Sequence, residues 1–278
     1  MIPARNLSRL AHRLTSRNRT YSEQTLEKDY CLSWLLAGIS QSPLKEKLVF
    51  KGGTALKKCY FAGYRFSEDL DFTLLTPHTL PEILSLLEGV YRMVREMSGI
   101  RLATGRSEPE TRQNSYTLFV SYVGPLQATQ SKREIKVDIT KEEMLLYPIT
   151  ERSILQEYPE YMDIPRDVLI PTYSLEEITV EKLLSLLDKA RNEPRDLYDL
   201  WYLLQHAPIA IDFLRPGFEK KCQYKGLQEE RLENALQKKS ASFRVLWEKR
   251  LQTQILDLPP LAEVLRQVNR RLREAGYF

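Results

Sequence analysis

Two aspartates one residue apart, Asp69 and Asp71, are the residues whose type and spacing most clearly predict chemistry. They lie in a strand-like run, in which alternate side chains point to the same side, so both carboxylates should project together while Leu70 and Phe72 enter a core. Neighbouring carboxylates repel each other unless a cation lies between them. Hard divalent ions, Mg²⁺ above all and Mn²⁺ in its place, take oxygen ligands and commonly share them with phosphates. The pair therefore predicts a metal site that handles phosphate groups.

A Gly-Gly-Thr turn precedes this strand and supplies a second part of the same chemistry. Gly52, Gly53 and Thr54 follow the apolar segment 48–50, and a short helix is predicted from Ala55. Glycines let backbone N–H groups approach a phosphate closely, and the N-terminal end of a helix attracts anions. A nucleoside triphosphate, bridged by a metal ion to the two aspartates, would satisfy both the turn and the strand.

A third carboxylate, Asp138, lies in a predicted strand at 134–140, which follows another predicted strand at 115–123. The alternation places Asp138 on the same face as Lys136 and Thr140, opposite the apolar residues. A single polar residue in an alternating strand is ordinarily only solvent-facing. On spacing alone, Asp138 therefore stays open between a surface residue and a third acid of the site.

Helical periodicity and breakers predict the elements that would position these residues. Residues 22–41 form a predicted helix with Ser22 as its N-cap, and Pro81 to Met97 form a second helix that returns the chain across the sheet. The proline-containing segment 141–173 is poorly periodic, and it predicts a link between two lobes.

Beyond residue 173 the sequence predicts helices alone. Ser174 and Glu177 have the spacing of a capping box, and the helix that they open should run to about Arg191. Pro194 suits the first turn of the next helix, and two or three more helices follow before the C-terminus.

Length and composition limit the class of protein. A chain of 278 residues exceeds one typical domain and falls short of three, so two lobes are expected. The 42% hydrophobic content suffices for a core, while the apolar runs fall short of a membrane span. The 3 cysteines are widely spaced and odd in number, which favours a reducing compartment over a disulfide framework. We therefore expect a soluble, cytoplasmic protein without a membrane partner.

Basic residues are concentrated towards both ends of the chain. The formal net charge is only +4, but residues 1–20 contain five Arg and no acid, and residues 215–278 contain fourteen basic against eight acidic residues. Phosphate neutralisation gives sequence-independent affinity, so a polyanion could lie across these ends. Ordinary solvated helix surface explains the same pattern.

An amphipathic basic helix is predicted near the N-terminus, with Arg5, Arg9, Arg13 and Arg17 spaced four apart and leucines on another face. Three interpretations are open. The helix could be a mitochondrial presequence, because such presequences are also Arg-rich and acid-poor. It could also contact nucleic acid, or pack on the surface of the fold.

The ordered combination of these motifs resembles a known family. Gly-Gly-Thr, a helix and SEDLD resemble the signature of the polymerase-β-like nucleotidyltransferases, and the fuller FKGGTAL…YRFSEDLDF resembles the AbiEii-type, MenT-like toxins of type IV toxin–antitoxin systems. The resemblance spans roughly residues 45–205. It implies an α+β fold, in which a polymerase-β-like core of a mixed sheet with flanking helices is followed by an all-helical C-terminal lobe. We expect the nucleotidyltransferase domain, with its N-terminal helices, in residues 1–160 and the helical domain in residues 161–278.

The same resemblance assigns roles to individual residues. The metal-binding acids of the family correspond to Asp69, Asp71 and Asp138. Its nucleotide-binding turn corresponds to Gly52, Gly53 and Thr54, and the serine before the first acid corresponds to Ser67. Asp138 would act as a general base or as a ligand of the catalytic metal. Ser67 would order the turn or touch phosphate.

A downstream motif, EKLLSLLDKARNEPRDLYDL, resembles the family segment in which a lysine and an aspartate complete the active site. The matching residues are Lys182 and Asp196, with Asp199 as a further candidate. Lys182 would then meet triphosphate oxygens as a point charge. Without the resemblance, Lys182 is a surface lysine and Arg195 pairs with Asp199 at i, i+4.

The activity that the resemblance implies is transfer of a nucleoside monophosphate from an NTP to RNA, at the 3′ end of tRNA, which would arrest translation and growth. An antitoxin of the AbiEi type is the implied protein partner. Two rival hypotheses stay open. In one, the same chemistry modifies a protein or a small molecule, and in the other, a non-catalytic module uses a nucleotide pocket to hold a partner.

Overall fold

The computed structural model describes residues 1–15, 20–108, 114–128, 133–227 and 231–278. Over these residues the chain forms two compact units. The first comprises Met1–Glu143 and Ile149–Thr172, and the second comprises Met144–Pro148 and Tyr173–Phe278. The first unit holds a β-sheet with flanking helices, and the second is helical. The predicted α+β class with a helical C-terminal lobe is confirmed.

The strands of the described residues form one mixed sheet. They are β1 Leu48–Lys51, β2 Asp69–Leu74, β3 Arg101–Glu108, β4 Ser115–Val123, β5 Glu134–Thr140, β6 Ile149–Ser153 and β7 Leu169–Tyr173. Their order in the sheet is β3–β4–β5–β2–β1–β7–β6. β2 runs parallel to β5 and β1 parallel to β7, whereas the pairs β1–β2, β3–β4 and β4–β5 are antiparallel. The two predicted acidic strands therefore lie side by side at the centre.

Alternation of apolar and polar residues explains the orientation of these central strands. In β5, Ile135, Val137 and Ile139 are buried, and the residues between them are half-buried. In β2, Leu70 and Phe72 are buried in the same way. Each strand fills the core with one face and carries its carboxylates on the other.

The helices of the first unit are α1 Ala4–Arg13, α2 Glu23–Ser40, α3 Gly52–Ala55, which a π-helical turn continues over Leu56–Tyr60, and α4 Leu80–Ser98. Ser22 caps α2, as predicted, by accepting a hydrogen bond from the backbone N–H of Thr25. Thr79 and Glu82 form a capping box at the start of α4. α2 packs against α4. The predicted pair of long helices is thus confirmed, with each end one residue from the expected position.

The basic N-terminal helix is packed on the first unit. Leu7 and Leu10 of α1 are fully buried, and Arg13 makes two hydrogen bonds, of 2.9 and 2.6 Å, to the carboxylate of Glu160. These contacts agree with the interpretation of a packed surface helix. The predicted continuation to Arg17 lies outside the described residues.

The described part of the second unit contains five α-helices and a short 3₁₀-helix, Ile211–Leu214. The α-helices are α5 Leu175–Leu187, α6 Pro194–His206, α7 Arg215–Tyr224, α8 Leu232–Leu251 and α9 Leu261–Glu274. Pro194 occupies the first turn of α6, as predicted. α5 ends at Leu187, earlier than the expected Arg191. In the part of the chain that the structure describes, no helix has the length and apolar character to cross a membrane.

The predicted capping box at the start of α5 is only half formed. Ser174 accepts a hydrogen bond from the backbone N–H of Glu177. The Glu177 carboxylate instead accepts hydrogen bonds of 3.0 and 2.9 Å from the backbone N–H groups of residues 146–147, and it pairs with the buried ammonium group of Lys221. This carboxylate therefore anchors the segment Met144–Pro148 to the second unit.

The predicted link at residues 141–173 contains the passages of the chain between the two units, but it also forms strands that the sequence did not indicate. The segment contributes β6 and β7 to the sheet, and its part Met144–Pro148 belongs to the second unit. The sequence also gave no indication of β3. β3 and β6 are edge strands with many exposed residues, so they lack the apolar alternation that identifies an inner strand.

Candidate active site

Four polar side chains form a row across the sheet face that carries the predicted acids. Asp71 of β2 lies opposite Asp138 of β5, Lys51 of β1 lies opposite Asp71, and Thr117 of β4 lies opposite Asp138. Residues paired across neighbouring strands are about 5 Å apart and share a face. The structure thus brings two of the predicted acids together and flanks them with a lysine and a threonine.

Asp69, the remaining predicted acid of the sheet, lies two residues before Asp71 and therefore on the same face. Its partner in the register is Lys136 of β5. Asp69, Asp71 and Asp138 are all half-buried. Their backbone lies within the sheet, and their side chains are partly accessible to solvent. The predicted convergence of acids from two neighbouring strands onto one face is present.

The carboxylate of Asp138 has a partner on each oxygen. Lys136 approaches Oδ2 with its Nζ at 2.5 Å, and the Thr117 hydroxyl donates to Oδ1 at 2.6 Å. In the neighbouring part of the face, Lys51 Nζ donates to the Thr140 hydroxyl at 2.9 Å. The face therefore carries two ammonium groups among its acids.

The Gly-Gly-Thr turn contacts this acidic face through Gly52. Gly52 follows β1 directly and has a φ of +78°, in the left-handed region that favours glycine. A Cβ atom at this position would lie 2.6 Å from Asp71 Oδ2. The backbone of the turn and the Asp71 carboxylate are therefore in direct contact, and any side chain at position 52 would have to displace the carboxylate.

The hydroxyl of Thr54 holds the turn against the start of β2. Thr54 is fully buried, and its Oγ1 donates to the Asp69 carbonyl oxygen at 2.5 Å and lies 2.8 Å from Ser67 Oγ. Ser67 is also buried. Both hydroxyls thus order the polypeptide between the turn and Asp69.

Two consecutive lysines after the turn are buried and paired. Lys57 Nζ lies 2.8 Å from the carboxylate of Glu157 and 4.2 Å from the centre of the Phe66 ring. Lys58 Nζ lies 2.7 Å from Asp29 of α2. Burial lowers the pKa of Lys58, and the charge of Asp29 opposes this effect. These pairs fix the π-helical turn to neighbouring elements of the first unit.

The donor types of the face fit a hard divalent cation. Asp69, Asp71 and Asp138 offer carboxylate oxygens, which Mg²⁺ and Mn²⁺ prefer. Within the described ranges, however, no three His, Cys, Asp or Glu side chains are grouped closely enough to hold an ion. Asp138 is engaged by Lys136 and Thr117 instead. The chemistry of the donors is suitable, but a metal ion held by Asp138 would compete with Lys136 and Thr117 for its oxygens.

The predicted lysine and aspartate of the helical part also lie together. Lys182 Nζ of α5 lies 2.8 Å from Asp196 Oδ1 and 2.7 Å from Asp199 Oδ2, both on α6. Arg191 adds hydrogen bonds of 2.5 and 3.1 Å to the Asp196 carboxylate. Asp196 and Asp199 are almost completely buried. This cluster joins α5 to α6, and it includes all three residues that the downstream motif suggested.

The alternative in which Lys182 is a surface lysine and Arg195 pairs with Asp199 is wrong. Lys182 is buried and forms an ion pair with Asp199, while Arg195 forms an ion pair with Glu193 at 3.1 Å. The local spacing could not anticipate this, because the lysine that reaches Asp199 comes from the preceding helix.

The charges around Asp196 determine its protonation. Burial raises the pKa of Asp196, but the adjacent Lys182 ammonium and Arg191 guanidinium outweigh burial and hold that pKa below its usual value. Asp196 is therefore ionised at neutral pH, as a partner of Lys182 must be. The predicted site residues thus fall into two groups, the acids and the turn in the first unit and the Lys182 cluster in the second.

Three residues of the acidic face were not among the predicted site residues: Lys51, Lys136 and Thr117. Lys136 had a usable signal, because the strand alternation places it on the same face as Asp138. Lys51 directly precedes the Gly-Gly-Thr turn. Thr117 had no signal, because its contact with Asp138 depends on the pairing of β4 with β5.

A comparison with protein families gives one model, described as Nucleotidyl transferase AbiEii toxin, Type IV TA system, which matches residues 34–273. This match covers most of the chain. No curated protein matches the chain significantly in sequence.

Solved structures with a similar overall fold include proteins from two organisms. The JHP933 protein from Helicobacter pylori superposes with a TM-score of 0.59 and 17% identity, covering 92% of this chain and 93% of that chain. MenT4, a nucleotidyltransferase toxin from Mycobacterium tuberculosis, superposes with a TM-score of 0.67 and 19% identity, covering 100% of this chain and 89% of that chain. At these identities the likeness concerns the fold.

Proposed function

The chain belongs to the AbiEii family of nucleotidyltransferase toxins, and on this premise we propose that it transfers a nucleoside monophosphate from an NTP to the 3′ end of tRNA. As a member of this family it is a nucleotidyltransferase. The RNA acceptor and its consequence are the proposed part. A nucleotide added to the 3′ end would block aminoacylation, so translation and growth would stop.

The observation that carries the proposal is the register of the two central strands. It puts Asp71 opposite Asp138, with Asp69 on the same face and the Gly52 backbone against Asp71. In the proposed reaction, an acceptor hydroxyl oxygen forms a bond to the α-phosphorus and the bond to the bridging oxygen of pyrophosphate breaks. The hydroxyl proton passes to a carboxylate of this face, and pyrophosphate leaves.

The roles of the other residues of the first unit follow from their contacts. The backbone N–H groups of the turn Gly52–Thr54 would bind the β- and γ-phosphates, while Ser67 and the Thr54 hydroxyl keep the turn in place beside Asp69. Asp69, Asp71 and Asp138 would hold Mg²⁺. When bound there, Mg²⁺ stabilises the charge on the attacking and leaving oxygens.

For the second unit we propose that Lys182 meets the triphosphate and that Asp196 holds its ammonium group in position. The distance of 2.8 Å between Lys182 Nζ and Asp196 Oδ1 supports the positioning role. Asp199 would share that role. The division into a catalytic domain at 1–160 and a helical domain at 161–278 stays a prediction.

The partners follow from the class of the family. Its description as a type IV toxin–antitoxin system leads us to propose a cognate antitoxin of the AbiEi type. Because the proposed substrates are NTPs and tRNA, the proposed place of action is the cytoplasm.

The test is a labelling reaction with each NTP in turn. Purified protein, Mg²⁺ and one labelled NTP are incubated with total RNA and with a lysate that contains proteins and small molecules. We expect label in the tRNA fraction, removable by digestion from the 3′ end. Asp71→Asn should lose this label, whereas Glu88→Gln, an exposed change of charge on α4, should keep it.

Other distributions of label decide between the alternatives. Label only in protein or in a small molecule would overturn the RNA acceptor and keep the chemistry. If no fraction is labelled and Asp71→Asn remains fully toxic in cells, nucleotidyl transfer itself is wrong, and the non-catalytic module is favoured.

A further inference from the structure

The partners of Asp138 present a conflict with its proposed function. Both of its oxygens are engaged, one by the Lys136 ammonium at 2.5 Å and the other by the Thr117 hydroxyl at 2.6 Å. A metal ion at Oδ2 would compete with the ammonium group for this oxygen, and the repulsion between the two cations favours departure of the ammonium group. If Asp138 is to serve a divalent cation, Lys136 should therefore leave.

The surroundings of Lys136 permit such a movement. The Lys136 side chain is 33% exposed and that of Asp138 is 23% exposed, so the pair lies at the accessible face of the sheet and not in the core. Ion pairs with this degree of exposure are weak, because water screens them and the lysine gives up rotamer freedom to form them. The backbone of β5 is fixed on both sides by β2 and β4, so only the lysine side chain needs to move.

The register supplies a destination for the displaced ammonium group. Lys136 lies opposite Asp69 of β2, and Gly53 of the turn follows the Gly52 backbone that touches Asp71. An NTP bound at this turn brings several negative charges to the same face. The ammonium group can therefore exchange its carboxylate partner for phosphate oxygens without leaving the acidic face.

We infer that Lys136 neutralises Asp138 through an ion pair in the protein without substrate. When the nucleotide binds, this ion pair breaks and the Asp138 carboxylate becomes available to the divalent metal. This inference rests on the proposed function of Asp138. It makes Lys136 a positioning residue that sets how strongly the unliganded protein binds metal. Without a nucleotide, the protein should bind metal weakly, because each bound ion has to displace the ammonium group from Asp138 before phosphate oxygens are present to receive it.

The experiment measures Mn²⁺ binding to the full chain by calorimetry, without nucleotide and then with an NTP analogue that cannot be transferred. The variants are Lys136→Met, which removes the charge but keeps the length, and Lys136→Arg, which keeps both. Lys45→Met is the matched control, since Lys45 is a 27% exposed lysine paired with Glu151 at 3.0 Å. Thermal unfolding of each variant verifies that it is folded.

We expect Lys136→Met to bind Mn²⁺ roughly tenfold more tightly than the wild type without nucleotide, with the difference reduced when the analogue is present. Lys136→Arg and Lys45→Met should remain within about threefold of the wild type. Equal affinity of the wild type and Lys136→Met would overturn the inference and leave the proposed function standing. If Mn²⁺ binds to neither the wild type nor any variant, even with the analogue, the metal-dependent function fails as well.

Discussion

The contact between Gly52 and Asp71 makes the first residue of α3 and a residue of β2 depend on each other. Gly52 needs a positive φ to start α3 directly after β1, and the absence of a side chain leaves room for the Asp71 carboxylate. Gly63 also has a positive φ, of +75°, but a Cβ atom there would meet nothing within 4 Å. Substitutions at the two glycines therefore distinguish the effect of backbone strain, which both positions share, from the effect of a collision with Asp71, which occurs only at position 52.

We predict that Gly52→Ala abolishes nucleotidyl transfer whereas Gly63→Ala retains it. Both variants should lose about 1–2 kcal/mol of unfolding free energy, because alanine is strained in the left-handed region. Only the Cβ atom at position 52 collides with Asp71. Urea denaturation and the labelling reaction measure the two effects. Equal activity of the two variants would show that the position of Asp71 does not depend on this contact.

The Lys182 cluster is the second place where single residues determine a measurable property. Its carboxylate at Asp196 is buried, and its pKa lies below the usual value because of Lys182 and Arg191. A carboxyl group with a lower pKa in the folded than in the unfolded state contributes stability above its unfolded pKa of about 3.9. That contribution is lost as the pH falls through the folded value.

Asp196→Asn should therefore destabilise the protein by about 3 kcal/mol at pH 7, because it removes one partner of a buried ion pair. The difference from the wild type should shrink as the pH falls below about 4, where Asp196 itself becomes protonated. Denaturation curves between pH 3 and pH 7 give the measurement. Asp212→Asn, at an exposed residue, is the control. A difference that stays constant across this range would contradict the assignment of the low pKa to Asp196.

The secondary structure elements differ in how far the sequence could reveal them. α2, α4, β4 and β5 have regular periodicity, and most of them start at recognisable caps or after loops, so their positions were predictable. β6 is an edge strand whose residues are nearly all exposed, and β7 contains Pro171, which argues against a strand. Whether β6 and β7 form strands depends on their pairing with segments that are distant in the sequence. For the same reason the sequence indicated the acids and the position of Lys136 beside Asp138, but not Thr117 as the second partner of Asp138.

The anchor between α5 and the segment Met144–Pro148 leads to a prediction for this element. Glu177→Ala should leave two backbone N–H groups unpaired and remove one partner of Lys221, whose side chain is fully buried. We expect a loss of about 3–5 kcal/mol and faster hydrogen exchange at the amides of residues 146–147. Hydrogen exchange with mass spectrometry measures the second effect.

Glu176→Ala is the matched control for this anchor. Glu176 is the preceding residue of α5 and is only half-buried. Its removal should change neither the stability by more than about 0.5 kcal/mol nor the exchange of the segment. If the two variants behave alike, the Glu177 carboxylate does not hold Met144–Pro148.

At the scale of the whole molecule, charge is distributed unevenly along the chain. The net charge of +4 combines basic ends with a more acidic middle. In the C-terminal helix α9, Arg266, Arg270 and Arg273 are exposed. Exposed arginines on one helix are suited to the phosphates of RNA, whose binding releases counterions and weakens as salt increases.

We predict that replacing Arg266, Arg270 and Arg273 together by Gln weakens binding of tRNA and reduces its dependence on salt. The slope of log affinity against log salt should fall by about 2, because each phosphate contact to single-stranded RNA contributes about 0.7. The control replaces Arg92, Arg95 and Arg101, which are also exposed, by Gln and removes the same charge. An equal fall in the control would assign the effect to net charge alone.

The second unit takes Met144–Pro148 from inside the span of the first, so the chain passes between the units three times. This arrangement constrains how such genes can recombine. A single crossover within codons 149–172 would give the helices of one parent a five-residue segment from the other, with a foreign partner for the Glu177 carboxylate. A single crossover before codon 144 would instead give the first unit a foreign Ile149–Thr172. Functional chimaeras of relatives should therefore exchange Met144–Pro148 together with Tyr173–Phe278, so these two segments should be inherited together.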